Sequence, residues 1–308
     1  MKHLLKLQEL SQKELFEILD LASELKAEVK AGKKHERRLD GKTLGLIFQK
    51  SSTRTRISFE VGMYQLGGYP LFLSGHDLQL GRGESIKDSA RVFGRYLDGI
   101  MIRTFKQSDV EELAEYSGLP VINGLTDYCH PCQVLADLLT IKEHKGGFEG
   151  LKAAYIGDGN NMANSLIVGC LKAGMSFSAG TPKDYAPAQQ VLDFAKDYGD
   201  KFTLTENIYE AADKADVVFT DVWASMGQEA EAEARKKIFA GYCIDDKLMS
   251  VTNSGCMVQH CLPAHREEEI TDKVFEAHAN EIFDEAENRL HAQKAVIYLT
   301  MTDEAYKK

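Results

Sequence analysis

Apolar positions along this chain follow two alternating rhythms. Near the N-terminus Leu15, Ile18, Leu19, Ala22 and Leu25 recur at helical spacing, and Ser11 with Glu14 three residues on predicts a capping box at the start of that helix. Basic residues then crowd Lys33 to Arg38 in a polar linker. From Lys42 short apolar runs (Leu44–Phe48, Pro70–Leu73, Ile100–Ile102, Pro120–Ile122) alternate with amphipathic stretches near Thr53–Leu66, Ser85–Leu97 and Ser108–Ser117. Ser108 with Glu111 predicts a second capping box. Pro131–Lys145 reads as a further helix, and Gly146-Gly147 as a break between domains. The rhythm then restarts: strands at Ala153–Ile156, Met175–Ser178, Ala215–Thr220 and Met257–His260, and helices at Asn161–Ala173, from about Pro187, and at Glu285–Thr300. Alternation of this kind means βαβ units and parallel sheets.

The expected architecture is α/β: two doubly wound parallel-sheet domains joined by crossing helices, with the active site in the interdomain cleft. Residues 1–145, completed by 285–308, form one domain and residues 146–284 the other. A length of 308 residues supports this, because one hydrophobic core seldom serves so long a chain.

Charge and composition narrow the function classes. A net charge of -10 with no basic tract argues against nucleic acid and membrane surfaces as partners. No apolar run approaches the roughly 18 residues needed to span a bilayer, and Met1 to Lys30 lacks the pattern of a signal peptide. Six Cys in such a chain read as reduced thiols in the cytoplasm. An anionic ligand would need a local positive pocket set against the overall charge.

Such a pocket is foreshadowed after the first strand. Ser51-Ser52-Thr53-Arg54-Thr55-Arg56 opens a helix, where free N–H groups, hydroxyls and an Arg fork suit phosphate. A capped helix with two solvated Arg has the same sequence pattern. Arg103 ends another strand and is a second cationic candidate. Cys129-His130-Pro131-Cys132 is at its plainest a polar helix start with one buried Cys, and it admits two functional readings. One is a dithiol oxidoreductase, since a helix N-terminus lowers a thiol pKa. The other makes His130 a hydrogen-bond donor to a substrate oxygen, with Gln133 one turn below.

In the second half, Gly157-Asp158-Gly159-Asn160-Asn161-Met162 mimics a dinucleotide fingerprint, but Met162 stands where the third Gly belongs. A nicotinamide cofactor is therefore disfavoured. Asp221-Val222-Trp223-Ala224-Ser225-Met226-Gly227 follows a strand and is either an ordinary strand-to-helix loop or a binding loop in which Asp221 can hold an ammonium group. His260-Cys261-Leu262-Pro263-Ala264 invites a nucleophile reading, yet adjacent strand residues face opposite ways, so His260 and Cys261 should not pair. Arg289 has an ion pair with Glu285 as its ordinary explanation.

Taken in order, Ser52-Thr53-Arg54-Thr55, His130-Pro131-Cys132-Gln133, Asp221 with Ser225-Met226-Gly227, and His260-Cys261-Leu262-Pro263 resemble the signatures of the ornithine carbamoyltransferases over nearly the whole chain. The resemblance implies transfer of the carbamoyl group of carbamoyl phosphate to the side-chain amine of L-ornithine, giving L-citrulline and phosphate in arginine metabolism. It implies that Ser52, Thr53, Arg54, Thr55 and Arg103 hold phosphate, and that His130, Arg103 and Thr55 polarise the carbamoyl oxygen. Gln133, the Leu262 carbonyl and Arg289 would take the carbamoyl NH2. Asn161, Asp221, Ser225 and Met226 would grip ornithine, and Cys261 would contact its amine without forming a covalent intermediate. Gln79 matches a position that reaches a neighbour's site in a homotrimer. No cofactor and no metal are implied. The rivals are transfer to putrescine, aspartate or a modified ornithine, the dithiol oxidoreductase, and a catalytically silent binding protein.

Overall fold

The computed structural model describes residues 1–34, 36–80, 83–224 and 229–303. The chain divides into two compact units, residues 1–136 with 288–308, and residues 137–287.

The first unit begins with helix α1, Gln12–Lys30, whose N-cap Ser11 makes the expected capping box with Glu14. Strands β1 (Thr43–Phe48), β2 (Tyr69–Ser74), β3 (Gly99–Arg103) and β4 (Val121–Leu125) follow, separated by helices α2 (Thr53–Gln65), α3 (Ile86–Tyr96) and α4 (Gln107–Tyr116). They form one parallel sheet in the order β2-β1-β3-β4. Every residue of β3 and β4 is buried, as befits continuous apolar strands with both faces covered. Ile47, Ile100, Ile102 and Val121 pack there with Ala90, Val110 and Leu113 from α3 and α4. Helix α5, Pro131–Lys145, starts at the residue whose fixed φ suits a first helical turn.

The second unit repeats the pattern. Strands β5 (Lys152–Ile156), β6 (Ser176–Gly180), β7 (Phe202–Thr205), β8 (Val217–Thr220) and β9 (Met257–His260) form a parallel sheet ordered β7-β6-β5-β8-β9. Helices α6 (Asn161–Ala173), α7 (Gln189–Lys196), α8 (Ile208–Ala212), α9 (Ala232–Ile238), α10 (Asp246–Met249) and α11 (Asp272–Ala277) connect them. Ile156, Val218 and Val258 face Ala211, Ile244, Leu248 and Phe275 in its core. The closing helix α12 runs over Ala279–Met301. Helices α5 and α12 each contribute residues to both units.

Strand order reverses between β1 and β3 in the first sheet and between β5 and β8 in the second. At such a switch point the loops leave in opposite directions and open a crevice at the strands' carboxyl ends.

The fold class is as expected: two parallel-sheet α/β domains. Three local expectations are corrected. Helix α4 starts at Gln107 with Lys106 as its N-cap and no side-chain cap, so Ser108 lies inside the helix and its capping box does not form. Helix α12 begins at Ala279 rather than Glu285, which places Arg289 in its interior. Strand β7 was not foreseen, because it is a short edge strand with two of its four residues exposed.

The two serines give a contrast that denaturation can check. Ser11→Ala removes a cap whose Oγ accepts from Glu14 N at 3.2 Å, and should cost about 1 kcal/mol. Ser108→Ala removes no cap and should stay within about 0.5 kcal/mol. Urea midpoints measured on both variants would contradict the helix start if the order were reversed.

Candidate active site

Each sheet places its chemistry at its own switch point. In the first unit, residues 51–55 leave β1 and open α2. Ser52 is the N-cap; its Oγ accepts from Thr55 N at 3.3 Å and lies 3.0 Å from Thr55 Oγ1. A helix N-terminus after a strand end is the setting of an anion site. Arg54 on that turn is half-buried. Arg103, the last residue of β3, is buried and pairs in register with Phe48, the last residue of β1. Its carbonyl accepts from Gln49 N at 2.9 Å, and Thr104 bonds the Gln49 side chain, so the two strand ends are stitched together.

His130 and Gln133 stand at the start of α5, both buried. Arg289 on α12, 3% exposed, donates to Gln133 Oε1 at 2.7 Å and to Thr55 Oγ1 at 3.2 Å. Glu285, one turn before it, accepts from His260 N at 2.9 Å. Burial holds the His130 imidazolium well below the usual histidine range, and the positive charges of Arg289, Arg103 and Arg54 push the same way. His130 is therefore a neutral imidazole at physiological pH. It can donate one N–H without carrying charge into a site built for anions.

The cysteines flanking His130 do not resemble a redox pair. Burial pushes the Cys129 and Cys132 thiols up to about 12 each. Cys129 lies 3.4 Å from Gln107 Oε1, and Cys132 donates to the Asn123 carbonyl at 3.3 Å. Both are free, as are the other four cysteines. A catalytic dithiol requires a lowered pKa and exposure, and neither is present.

In the second unit, Asp221 leaves β8 and is buried. Its Oδ2 accepts from Asn160 Nδ2 at 3.0 Å, and its Oδ1 accepts from Cys261 Sγ–H at 3.2 Å and from Val222 N at 2.8 Å. Asn160 also caps α6 through Met162 N and Ala163 N. Asn161, singled out in the sequence, is the first residue of α6 and half-buried; the neighbour that holds Asp221 is Asn160. Ser225 and Met226 lie outside the described residues.

Burial, then the Asp221 and Glu285 charges, push the Cys261 thiol well above its usual range. Cys261 is thus a protonated donor to Asp221 rather than a thiolate. His260 faces elsewhere, as the alternation of strand side chains requires. Its Nε2 lies 3.0 Å from Glu269 Oε1, and its Nδ1 accepts from Leu262 N at 2.9 Å. With Nδ1 as acceptor, the proton is assigned to Nε2. Leu262 sits at φ 60, a left-handed conformation uncommon for a branched residue and held here by the His260 bond.

The glycine loop has its own explanation. A Cβ on Gly159 would come within 2.3 Å of Ala186 C and 2.4 Å of Pro187 N. Gly159 N donates to Tyr185 O at 2.8 Å. The space that a pyrophosphate would need is filled by the chain's own backbone.

Among the described residues one group, His265, Glu268 and Glu269, brings three metal-ligand atoms within 4.8 Å of one another. Lys236 already binds Glu268 at 2.9 Å, and no reacting group points to a metal there. Gln79 lies just beyond β2 and is exposed.

Two half-sites emerge: an arginine-rich anion cradle with a neutral imidazole donor, and a carboxylate held by an amide and a thiol. Each unit thus carries a chemistry of its own, suited to an anion in the first and to a cation in the second. Comparison with known proteins is specific. Residues 2–143 match the aspartate/ornithine carbamoyltransferase carbamoyl-P binding domain, and residues 149–300 match the Asp/Orn binding domain. An ornithine carbamoyltransferase of Geobacter sulfurreducens is 54% identical over 297 residues, covering 96% of this chain and 98% of that one. The structure of the Pyrococcus furiosus ornithine carbamoyltransferase superposes with a TM-score of 0.92 at 50% identity, covering 97% of each chain. That of the anabolic enzyme from Campylobacter jejuni gives 0.89 at 44%, covering 96% and 98%. The chain belongs to the aspartate/ornithine carbamoyltransferase family, on its ornithine carbamoyltransferase side.

The thiol environment predicts a chemical test. With native protein at pH 8, iodoacetamide should leave Cys129 and Cys132 unmodified on the time scale that labels a free thiol peptide, and insulin disulfides should not be reduced. Rapid labelling of either residue, read by peptide mass spectrometry, would restore the dithiol reading.

Proposed function

We propose that the chain transfers the carbamoyl group of carbamoyl phosphate to the side-chain amine of L-ornithine, yielding L-citrulline and phosphate. The observation that carries this reading is Asp221, a buried carboxylate oriented by Asn160 and Cys261 at the end of β8. A carboxylate there suits an ammonium-bearing acceptor. Aspartate would bring two carboxylates against it.

Residues 1–145 with 285–308 take carbamoyl phosphate, and residues 146–284 take ornithine. Arg54, Arg103 and the helix N-terminus at Ser52–Thr55 hold the phosphate. His130, Arg103 and Thr55 donate toward the carbamoyl oxygen, where negative charge grows in the tetrahedral transition state. A neutral His130 suits this task, because it donates without competing with the Arg residues for the phosphate. Gln133, whose Oε1 is oriented by Arg289, and the Leu262 carbonyl accept from the carbamoyl NH2. Asn161, Asp221, Ser225 and Met226 hold the amino-acid end of ornithine.

The acceptor's amine is mostly protonated in water. Withdrawal from water favours its neutral form. The neutral nitrogen attacks the carbonyl carbon, the bond from that carbon to the phosphate oxygen breaks, and the departing phosphate takes the amine proton. Cys261, as a thiol donor to Asp221, keeps that carboxylate oriented near the amine and needs no covalent role.

The assembly we infer is a homotrimer, with a cytoplasmic setting fitting six free thiols. Support comes from exposed apolar side chains in the first unit: Ile57 and Tyr64 on α2, and Tyr69 and Leu71 on edge strand β2. Gln79 lies just past that edge and would reach a neighbour's phosphate loop.

An acceptor panel tests the reaction. With carbamoyl phosphate fixed, ornithine should exceed putrescine and aspartate in kcat/KM, read as phosphate release and carbamoylated product. A higher value for either competitor would refute the acceptor. Subunit exchange tests the assembly. Arg54→Ala and Gln79→Ala should each be nearly inactive alone, and mixing should restore part of the activity in hybrid trimers. No recovery, with hybrids confirmed by native mass spectrometry, would place Gln79 outside any shared site.

A further inference from the structure

The second unit buries an ion pair that the reaction does not consume. Arg235 on α9 is 4% exposed. Its Nε donates to the Trp223 carbonyl, and its Nη2 donates to the Asp158 carboxylate. The guanidinium lies 4.9 Å from the centroid of the Tyr185 ring and 5.3 Å from that of Phe239. The Trp223 indole stacks on Phe239 with centroids 6.2 Å apart and planes at 20°. A guanidinium withdrawn from water this far is tolerated only with partners in good geometry; here one fork holds Asp158 and the Trp223 carbonyl, and its Nη1 lies 3.8 Å from the exposed Glu231.

Those partners belong to different segments. Asp158 stands two residues before Asn160, whose amide holds Asp221. Trp223 stands two residues after Asp221. One side chain therefore fixes both loops that carry the acceptor-side groups, the loop leaving β5 and the loop leaving β8. These are the two strands at the unit's switch point. Burial pushes the Asp158 carboxyl up to about 6 while the Arg235 charge pulls against that, so loss of Arg235 leaves Asp158 buried beside Asp221 without its cation.

We propose that Arg235 is a positioning residue for the acceptor: without touching substrate, it locks the Asp158–Asn160 loop to the Asp221–Trp223 loop and thereby sets the KM for ornithine. This rests on the acceptor reading above. A residue that only holds the binding geometry of one substrate should change that substrate's KM and leave the other substrate alone.

The experiment uses full-length Arg235→Gln and Arg235→Lys. In the Gln variant the KM for ornithine should rise about tenfold or more, while kcat and the KM for carbamoyl phosphate stay within about threefold. Lys keeps a cation for Asp158 but loses the second arm to Trp223, so it should recover part of the ornithine KM. Trp223 is the chain's only Trp, so intrinsic fluorescence reads its surroundings directly. Emission of the Gln variant should shift to the red and become more open to acrylamide quenching, with Lys intermediate. An unchanged ornithine KM in a folded Gln variant would overturn the proposal. So would a fall in kcat alone, or an equal rise in both KM values. Should Gln not fold by circular dichroism, the Lys variant decides: a rise confined to ornithine supports the proposal, and a wild-type profile sinks it. If the wild-type panel favours another acceptor, the acceptor reading fails separately, and the same KM split measured with that acceptor still judges Arg235.

Discussion

Both units depend on one constraint of parallel sheets. Parallel strands cannot be joined by tight hairpins, so every strand must leave at its carboxyl end and return by a crossover. All the departing loops therefore gather along one edge of each sheet. Where strand order reverses, between β1 and β3 and between β5 and β8, no crossover covers that edge. Ser52–Thr55 and Arg103 occupy the first reversal, and Asn160 and Asp221 the second. The polar groups stand where the sheet leaves room, and buried apolar strands on both sides fix their positions.

Protonation states complete the division of labour. The chain carries net charge -10, yet it concentrates Arg54, Arg103 and Arg289 around one imidazole. Burial and those cations keep His130 neutral, so hydrogen bonding does not add a charge to an already cationic cradle. On the other side, burial and Asp221 keep Cys261 a thiol. Two residues that elsewhere supply a general base and a nucleophile are both held in forms fit for donating hydrogen bonds.

Elements with strong local signals were legible in the sequence. Pro131 and the Gly146-Gly147 break bracket α5, and the stretch Met257–His260 is β9. Strand β7 was hidden because Phe202–Thr205 lies at an edge and buries little. Helix α4 begins before its apparent cap: it starts at Gln107, so Ser108 already lies inside it. The loops carrying Arg54, His130, Asp221 and Cys261 were readable because each follows a strand or opens a helix. Their supports were not. Arg235 meets Asp158 across 77 residues, and Arg289 meets Thr55 across 234. The bond from Asn160 to Asp221 is equally silent in the sequence, because a helix cap shows its second partner only once the fold places it. Periodicity reports only on neighbours a turn or two away.

Gly159 bears on how such loops change over evolutionary time. Its missing side chain makes room for the backbone at Tyr185, Ala186 and Pro187, not for a nucleotide. Selection to keep this glycine thus acts through the chain's own folding. A lineage could lose nucleotide binding altogether and still retain most of the fingerprint, because the loop's second tenant defends the same residue. Glycine patterns shared among distant α/β enzymes can therefore record a common packing problem as readily as a common ligand.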